Sequence, residues 1–353
     1  LEYPDIALNT PGDQAVEDSN PDERIAGETI GKPPPSCCGP GFSRRQIALA
    51  SGTAIGYVAD FRTRAENSMA NLRLPGPLVD AGWLREHLDD ERLLVFDCSW
   101  HMPATRRDGR EEWLEAHIPG ARFFDFDRRI RDPDSDLPHM LPDAGLFSRE
   151  MQRLGLDRDS IVVLYDTMGM YSSPRGWWML RAMGFADCAL LDGGLPAWNQ
   201  AGYPLESLDE EPSYPPGDFV ASLDSRLVAD TAQVVAGLQD DSVVVVDARP
   251  AERFSGAAEE PRPGLRRGHM PGAVNLPFPT LFRDGRLIPE DEVREMLAPL
   301  LDGSERRIFS CGSGVTACIL AFAAELTGYD GLAVYDGSWS EWGLPGELPV
   351  VTD

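Results

Sequence analysis

Six cysteines are few for a chain of 353 residues, and no two are spaced as Cys-x-x-Cys. That scarcity argues against a zinc site or a disulfide scaffold and points to a compartment that keeps thiols reduced. Basic charge is scarce too: 32 Lys and Arg stand against 58 Asp and Glu, a formal net charge of −26. A surface of that sign repels nucleic acid and anionic lipid, so neither is an expected partner. Any small anion has to be captured by a local group of arginines. No apolar run is long enough to span a bilayer. The expected location is cytoplasmic, with one competing signal. Ser43-Arg44-Arg45-Gln46-Ile47, ahead of a mildly apolar stretch to Ala59, resembles a twin-arginine export signal, although the segment before it is long and acidic.

Residues 1–75 are rich in Pro, Gly, Asp and Glu, include Pro33-Pro34-Pro35 and Cys37-Cys38-Gly39-Pro40, and hold no sustained period. They read as a disordered extension. Met69-Ala70 sits just before the first patterned segment, so residues 1–68 are expected to be an extension or a start-site artefact. From Leu78 onward, short apolar runs alternate with helical patterns. Leu93 to Asp97, Ile161 to Asp166 and Ala189 to Asp192 read as buried strands; Val79 to Leu88, opened by Asp80 as N-cap, and Trp177 to Met183 read as helices. The order then repeats. Thr231 to Leu238 is a helix; Val243 to Asp247, Arg307 to Ser310 and Leu332 to Asp336 are strands; Ala317 to Leu326 is an apolar helix.

Four anchors hold nearly one separation. Asp97 matches Asp247, His117-Ile118-Pro119-Gly120-Ala121 matches His269-Met270-Pro271-Gly272-Ala273, Tyr165-Asp166 matches Ser310-Cys311, and Asp192-Gly193 matches Asp336-Gly337. The chain is therefore a tandem duplication: a first domain over 76–205, a linker over 206–217 and a second domain over 218–353. The fold class is α/β, each domain a mainly parallel sheet with helices on both faces.

Ligands of such sheets bind beyond the carboxyl ends of strands, and Cys311 stands there, between the strand ending at Ser310 and the helix opening at Ala317. Gly312 and Gly314 allow the intervening loop to turn with its N–H groups inward, which together with the helix N-terminus favours an anion. A thiolate or a persulfide suits such a cradle. Cysteine phosphatases use a similar loop but close it with an arginine; Ala317 stands at that position here, and no arginine lies between Cys311 and Leu326. Cys318, inside an apolar helix, reads as core, as do Cys98 and Cys188 at strand edges.

These motifs resemble the rhodanese family, and most of all its tandem-domain branch that takes sulfur from 3-mercaptopyruvate. The likeness covers roughly residues 75–345. It rests on Cys311-Gly312-Ser313-Gly314-Val315-Thr316-Ala317, on Asp336-Gly337-Ser338-Trp339-Ser340-Glu341-Trp342 and on the two His-x-Pro-Gly-Ala turns. Thiosulfate-using relatives carry basic residues at the two positions after the cysteine, where this chain has Gly312 and Ser313. The resemblance implies a Cys311 persulfide, with Gly312, Gly314, Val315 and Thr316 as cradle and Arg253 and Arg262 as substrate arginines. It also implies a Ser313–His117–Asp108 relay, Asp108 being the best acid available. No metal or organic cofactor is implied. The donor would be 3-mercaptopyruvate, and the acceptor a thiol such as thioredoxin, or cyanide. The first domain, with Asp166 where the cysteine would be, would be catalytically silent. Trp339 and Trp342 read as core, and Arg175 as an interface residue. The alternatives are a thiosulfate:cyanide sulfurtransferase and a non-catalytic sulfur-binding module.

Overall fold

The computed structural model describes residues 72–353. The twin-arginine-like segment, Cys37, Cys38 and Met69-Ala70 lie outside the described residues. Two five-stranded sheets form the frame, and every strand pair in them is parallel. The first contains β1 (Leu78–Val79), β2 (Leu93–Asp97), β3 (Arg122–Phe123), β4 (Ile161–Tyr165) and β5 (Cys188–Leu191), in the order β1-β5-β4-β2-β3. The second contains β6 (Val228–Ala229), β7 (Val243–Asp247), β8 (Val274–Asn275), β11 (Arg306–Ser310) and β12 (Leu332–Tyr335), in the equivalent order β6-β12-β11-β7-β8. A two-residue antiparallel pair, β9 (Phe282–Arg283) with β10 (Arg286–Leu287), projects from the second half.

The long strands are the apolar runs visible in the sequence, because a parallel strand covered on both faces has no polar side to display. All five residues of β2 and of β4 are buried. The edge strands β1, β3, β6 and β8 are two residues each, too short to show any period. Among the described residues ten α-helices flank the strands: α1 (Ala81–His87), α2 (Gly109–Glu115), α3 (Ala144–Arg153), α4 (Ser173–Ala182), α5 (Gly194–Gln200), α6 (Thr231–Gly237), α7 (Ala251–Phe254), α8 (Glu290–Leu301), α9 (Ala317–Leu326) and α10 (Ser338–Trp342). Local chemistry sets their starts. The Asp80 carboxylate accepts from Trp83 N–H at 2.8 Å, and Asp230 forms a reciprocal capping box with Gln233.

The duplication is literal at the level of register. Asp97 is level with Tyr165 in the first sheet, and Asp247 with Ser310 in the second. Asp166 and Cys311 therefore leave their sheets at equivalent points. One continuous core joins the halves, from Phe96 and Leu164 through Trp177 to Phe322 and Phe309. At its centre α4 meets α9, and Trp177 stands edge-on to Phe322 with centroids 5.1 Å apart. Separate apolar clusters cover the far face of each sheet, the second of them holding Trp339 and Trp342, both fully buried. Ion pairs cross between the halves at Arg181–Glu325 (3.1 Å) and Arg286–Asp192 (3.0 Å).

Candidate active site

β11 delivers Cys311 to a loop that ends where α9 begins. The loop is held from outside by the segment that follows β12. Trp339 N–H donates to the Cys311 carbonyl (3.0 Å) and Ser340 N–H to that of Gly312 (2.8 Å), joined by the Ser340 hydroxyl at 2.7 Å. Ser338 Oγ accepts from the N–H groups of Cys311 and Gly314, each at 3.1 Å, while donating to Tyr335 O at 2.8 Å. The Asp336–Trp342 signature is thus the brace of the cysteine loop. With those bonds made, the N–H groups of Gly312, Ser313, Val315 and Thr316 donate to no described residue. Unpaired donors around a nearly buried sulfur, 2% exposed for Cys311, form an anion site, and the α9 N-terminus adds to it. Gly314 has φ +75°, and a Cβ there would lie 2.8 Å from Asp336 O and 2.9 Å from Arg175 Nη1. Only glycine fits on both counts.

Arg253 and Arg262 lean over this loop. A Cβ on Gly312 would stand 3.1 Å from Arg253 Nη2 and 4.0 Å from Arg262 Nη1. Arg253 is tethered by buried Glu260, which Arg249 also contacts at 2.7 Å; Arg249 grips Asp247 in turn and lies 4.0 Å over the Trp339 ring. Arg249 therefore pairs locally and is spent on structure. Arg262 makes no hydrogen bond or ion pair with another described residue. Burial draws its guanidinium below its ordinary range; the Cys311 sulfur opposes that, and neighbouring Arg253 adds to it. A half-buried guanidinium without a full counter-ion, next to a second cation, is ready for a carboxylate.

In the first domain the same cradle is already filled. Asp166 Oδ2 accepts from Ser172 N–H (3.0 Å) and Ser173 N–H (2.8 Å), and its Oδ1 from Met168 N–H (2.8 Å). A fixed carboxylate occupies the place where the other domain presents a sulfur. Burial pushes the thiols of Cys98, Cys188 and Cys318 well up, so they are poor nucleophiles at neutral pH. All four described cysteines are free.

The structure does not assemble the relay read from the motifs. No hydrogen bond or ion pair joins Ser313, His117 and Asp108 to one another among the described residues. His117 Nδ1 bonds Trp113 O at 2.6 Å, and its backbone bridges Glu206; His269 bonds Phe254 O at 2.9 Å and bridges Val351. Both histidines do the same work in their own domains, tying the turn to a passing strand. Asp108 caps α2 and pairs with Arg128 at 2.7 Å.

Another pair stands at the cysteine loop. His139 Nδ1 lies 3.1 Å from Asp127 Oδ1, an ion-pair distance at an angle poor for a hydrogen bond, and Nε2 has no hydrogen-bond partner among the described residues. His139 is 1% exposed, takes the left-handed conformation (φ +63°) and is wedged between the edges of Trp100 and Phe126. Burial is the main cause of its lowered pKa; Asp127 opposes that, while Arg175 and Arg262 add to it, so the ring is neutral at pH 7. Arg175 ties the pair to the loop: its guanidinium donates to the His139 carbonyl and to Gly314 O (3.2 Å), and pairs with Asp336 (2.7 Å). The sequence carried one signal for this. His117 has a mirror in the repeat and His139 has none, and a duplicated histidine serves what the two domains share.

Fold and site together define a class: a duplicated parallel-sheet α/β protein, one half of which presents a cysteine in an anion-binding loop beneath two arginines. The model of the rhodanese-like domain matches this sequence twice, over 80–201 and 230–344, and the chain belongs to the rhodanese family. It is 39% identical over 274 residues to the 3-mercaptopyruvate sulfurtransferase of Escherichia coli K12 (77% of this chain, 96% of that one). It is 41% identical over 282 residues to the human protein of the same name (78% and 94%), and 42% identical over 274 residues to the thiosulfate sulfurtransferase of Gallus gallus (75% and 92%). The crystal structure of SseA from Escherichia coli superposes with a TM-score of 0.68 at 37% identity, covering 75% of this chain and 99% of that one.

Proposed function

We propose that the protein is a 3-mercaptopyruvate sulfurtransferase. One observation carries this reading. The loop after Cys311 offers unpaired N–H groups and no charge of its own, while Arg253 and Arg262 stand over Gly312. That suits a donor whose single negative charge is a carboxylate set apart from its sulfur. The Cys311 thiolate attacks the donor sulfur; the carbon–sulfur bond breaks and its electron pair leaves as pyruvate enolate, which takes up a proton to become pyruvate. The new persulfide rests in the N–H cradle. Arg262 and Arg253 hold the carboxylate and the keto oxygen, and lower the cost of the enolate charge. Neutral His139, oriented by Asp127, replaces His117 and Asp108 as the group that handles the proton, with Ser313 beside the cysteine. In the second half-reaction an acceptor thiolate, thioredoxin's or a smaller thiol's, or cyanide, attacks the outer sulfur and returns the electron pair to Cys311. The first domain contributes His139, Asp127 and Arg175 and performs no transfer of its own.

No helix among the described residues is long and apolar enough to cross a membrane. The free thiols favour a cytoplasmic location, to be checked by cell fractionation against the twin-arginine alternative. Intact-protein mass spectrometry after incubation with 3-mercaptopyruvate tests the core claim. One added sulfur is expected, and none in Cys311→Ser; no gain in the wild type rejects it and favours a non-catalytic module. The Gallus gallus relative supports a second reading, thiosulfate as donor, which the ratio of kcat/KM for the two donors decides.

A further inference from the structure

Four charged side chains form one ladder beneath the arginines of the cysteine loop. Arg249 Nη2 pairs with Asp247 at 2.7 Å and its Nη1 with Glu260 Oε1 at 2.7 Å; Glu260 Oε2 in turn holds Arg253 through Nη2 and, at 3.2 Å, through Nε. The Glu260 side chain is 2% exposed, that of Arg249 is fully buried and that of Arg253 is 20% exposed. Two carboxylates thus meet two guanidiniums, and the ladder as a whole is neutral. Its last rung, Arg253, is one of the two arginines over Gly312. The other is Arg262, two residues beyond Glu260 on the same stretch of chain. Among the described residues no carboxylate stands within ion-pair distance of Arg262; Asp127, set behind His139, acts on it from farther off. Arg175, behind the loop, is matched by Asp336. The loop from Cys311 to Thr316 bears no charged side chain beyond the cysteine itself. Two guanidinium forks therefore face the sulfur with one unpaired cation between them, and Glu260 is the group that makes the difference.

Resting on the sulfurtransferase reading, we infer that Glu260 is a specificity-determining residue, which selects a singly charged donor over a dianion such as thiosulfate. A 2-oxo acid brings one carboxylate, and Arg262 balances it. Arg253, held by Glu260 through Nε and Nη2, keeps Nη1 for the keto oxygen. A dianion brings a second charge that no unpaired cation balances and that the Glu260 carboxylate repels. Glu260 is shielded from water, so solvent screens that repulsion little. Each unit of donor charge feels it, so the carboxylate disfavours a dianion about twice as strongly as a monoanion. Selectivity is the difference between the two. Charge and tether are separable. Aspartate keeps the charge and shortens the arm; glutamine keeps the arm and drops the charge.

Two variants of the full chain test this. Glu260→Gln should raise the ratio of kcat/KM for thiosulfate to that for 3-mercaptopyruvate by about tenfold or more. Glu260→Asp should lower both constants and leave the ratio within about twofold of the wild type. Sulfate has no sulfur that a thiolate can take, so its protection of Cys311 against iodoacetamide, at constant ionic strength, reads the site without turnover. It should protect Glu260→Gln at concentrations about tenfold lower than it protects the wild type or Glu260→Asp. Arg249 keeps Asp247 in both variants and Arg253 is partly exposed, so neither change strands a fully buried guanidinium. An unchanged ratio or unchanged sulfate protection in folded Glu260→Gln overturns the inference, as does a ratio that shifts as far in Glu260→Asp. Where thermal melts show Glu260→Gln unfolded, the wild type decides alone: pyruvate should protect Cys311 at about tenfold lower concentration than sulfate, and equal or better protection by sulfate overturns it. A wild type that gains no sulfur from 3-mercaptopyruvate sinks the parent reading instead, and sulfate protection of the variants still reports on Glu260 by itself.

Discussion

Arg175 of the first domain and Asp336 of the second meet at 2.7 Å, both buried, directly behind the cysteine loop. The same guanidinium donates to Gly314 O and His139 O, and Asp336 Oδ2 accepts from Leu141 N–H at 2.7 Å. This knot makes one site out of two domains.

Cutting it should cost both stability and activity. Removing one partner of a buried ion pair leaves an uncompensated charge and typically costs about 3–5 kcal/mol. Arg175→Met should lower the denaturant midpoint accordingly. The double variant Arg175→Met/Asp336→Asn should recover part of the loss in a double-mutant cycle. A loss within about 0.5 kcal/mol in the single variant would mean that this knot adds little to holding the domains together.

Asp97 should make stability depend on pH. Its mirror Asp247 is gripped by Arg249, but two residues after Asp97 stands Ser99, which brings no charge. Burial pushes the Asp97 carboxyl up from 3.8 to about 6, hydrogen bonds from Ser99 and Tyr165 opposing. The folded state therefore holds this proton more tightly than the unfolded chain. The stabilisation is fully present below pH 3.8 and is lost as pH rises through about 6. Asp97→Asn keeps an acceptor for the Ser99 N–H and should stabilise the protein at pH 8 by roughly 3 kcal/mol, the equivalent of that shift. Chemical denaturation between pH 4 and pH 8 should show the variant's profile to be the flatter one (~2–3 kcal/mol less variation); parallel profiles would refute the assignment.

Arg262 should matter more for the donor than its charge alone suggests. Arg262→Ala should reduce kcat/KM for 3-mercaptopyruvate roughly 10- to 150-fold, the worth of a charged hydrogen bond at about 1.5–3 kcal/mol. Arg262→Lys should restore only part, because a point charge cannot reproduce a fork of donors. Full recovery with lysine would remove the bidentate geometry from the argument.

The histidines should separate. His139→Asn should lower kcat by about 10²-fold or more, as for loss of a proton-handling group, with the donor KM little changed. His117→Asn should leave kcat within about threefold and lower Tm instead, since one buried hydrogen bond is worth about 1 kcal/mol. The reverse pattern would reinstate His117. Steady-state kinetics and thermal melts of the two purified variants decide it.

Much of this protein was legible in the chain because it is local. Runs such as Val243 to Asp247 are strands because nothing polar interrupts them. The cysteine loop is a loop because glycines follow a strand and precede an apolar helix. The duplication showed itself through repeated turns, and Asp80 announced a helix with its own side chain. The two-residue edge strands were invisible, since a strand of that length is defined by its neighbour and not by its own pattern.

The site divided along the same line. Cys311, its cradle and the two arginines lie in one domain; the loop shows in its glycines between strand and helix, and the arginines were reached through the family resemblance. His139, Asp127 and Arg175 come from a part of the chain far from Cys311, and only the packing of α4 on α9 brings them to it. The family resemblance drew attention to His117, but its turn is repeated around His269, and repetition marks what both folds need. The amino-acid sequence by itself singled out Cys311 as the proposed nucleophile and the half of the molecule that bears it. Tertiary structure decided that His139 and Asp127 lie by the cysteine loop and what Arg175 grips there, because those contacts join residues whose separation along the chain carries no period and whose meeting depends on two sheets docking through one shared core.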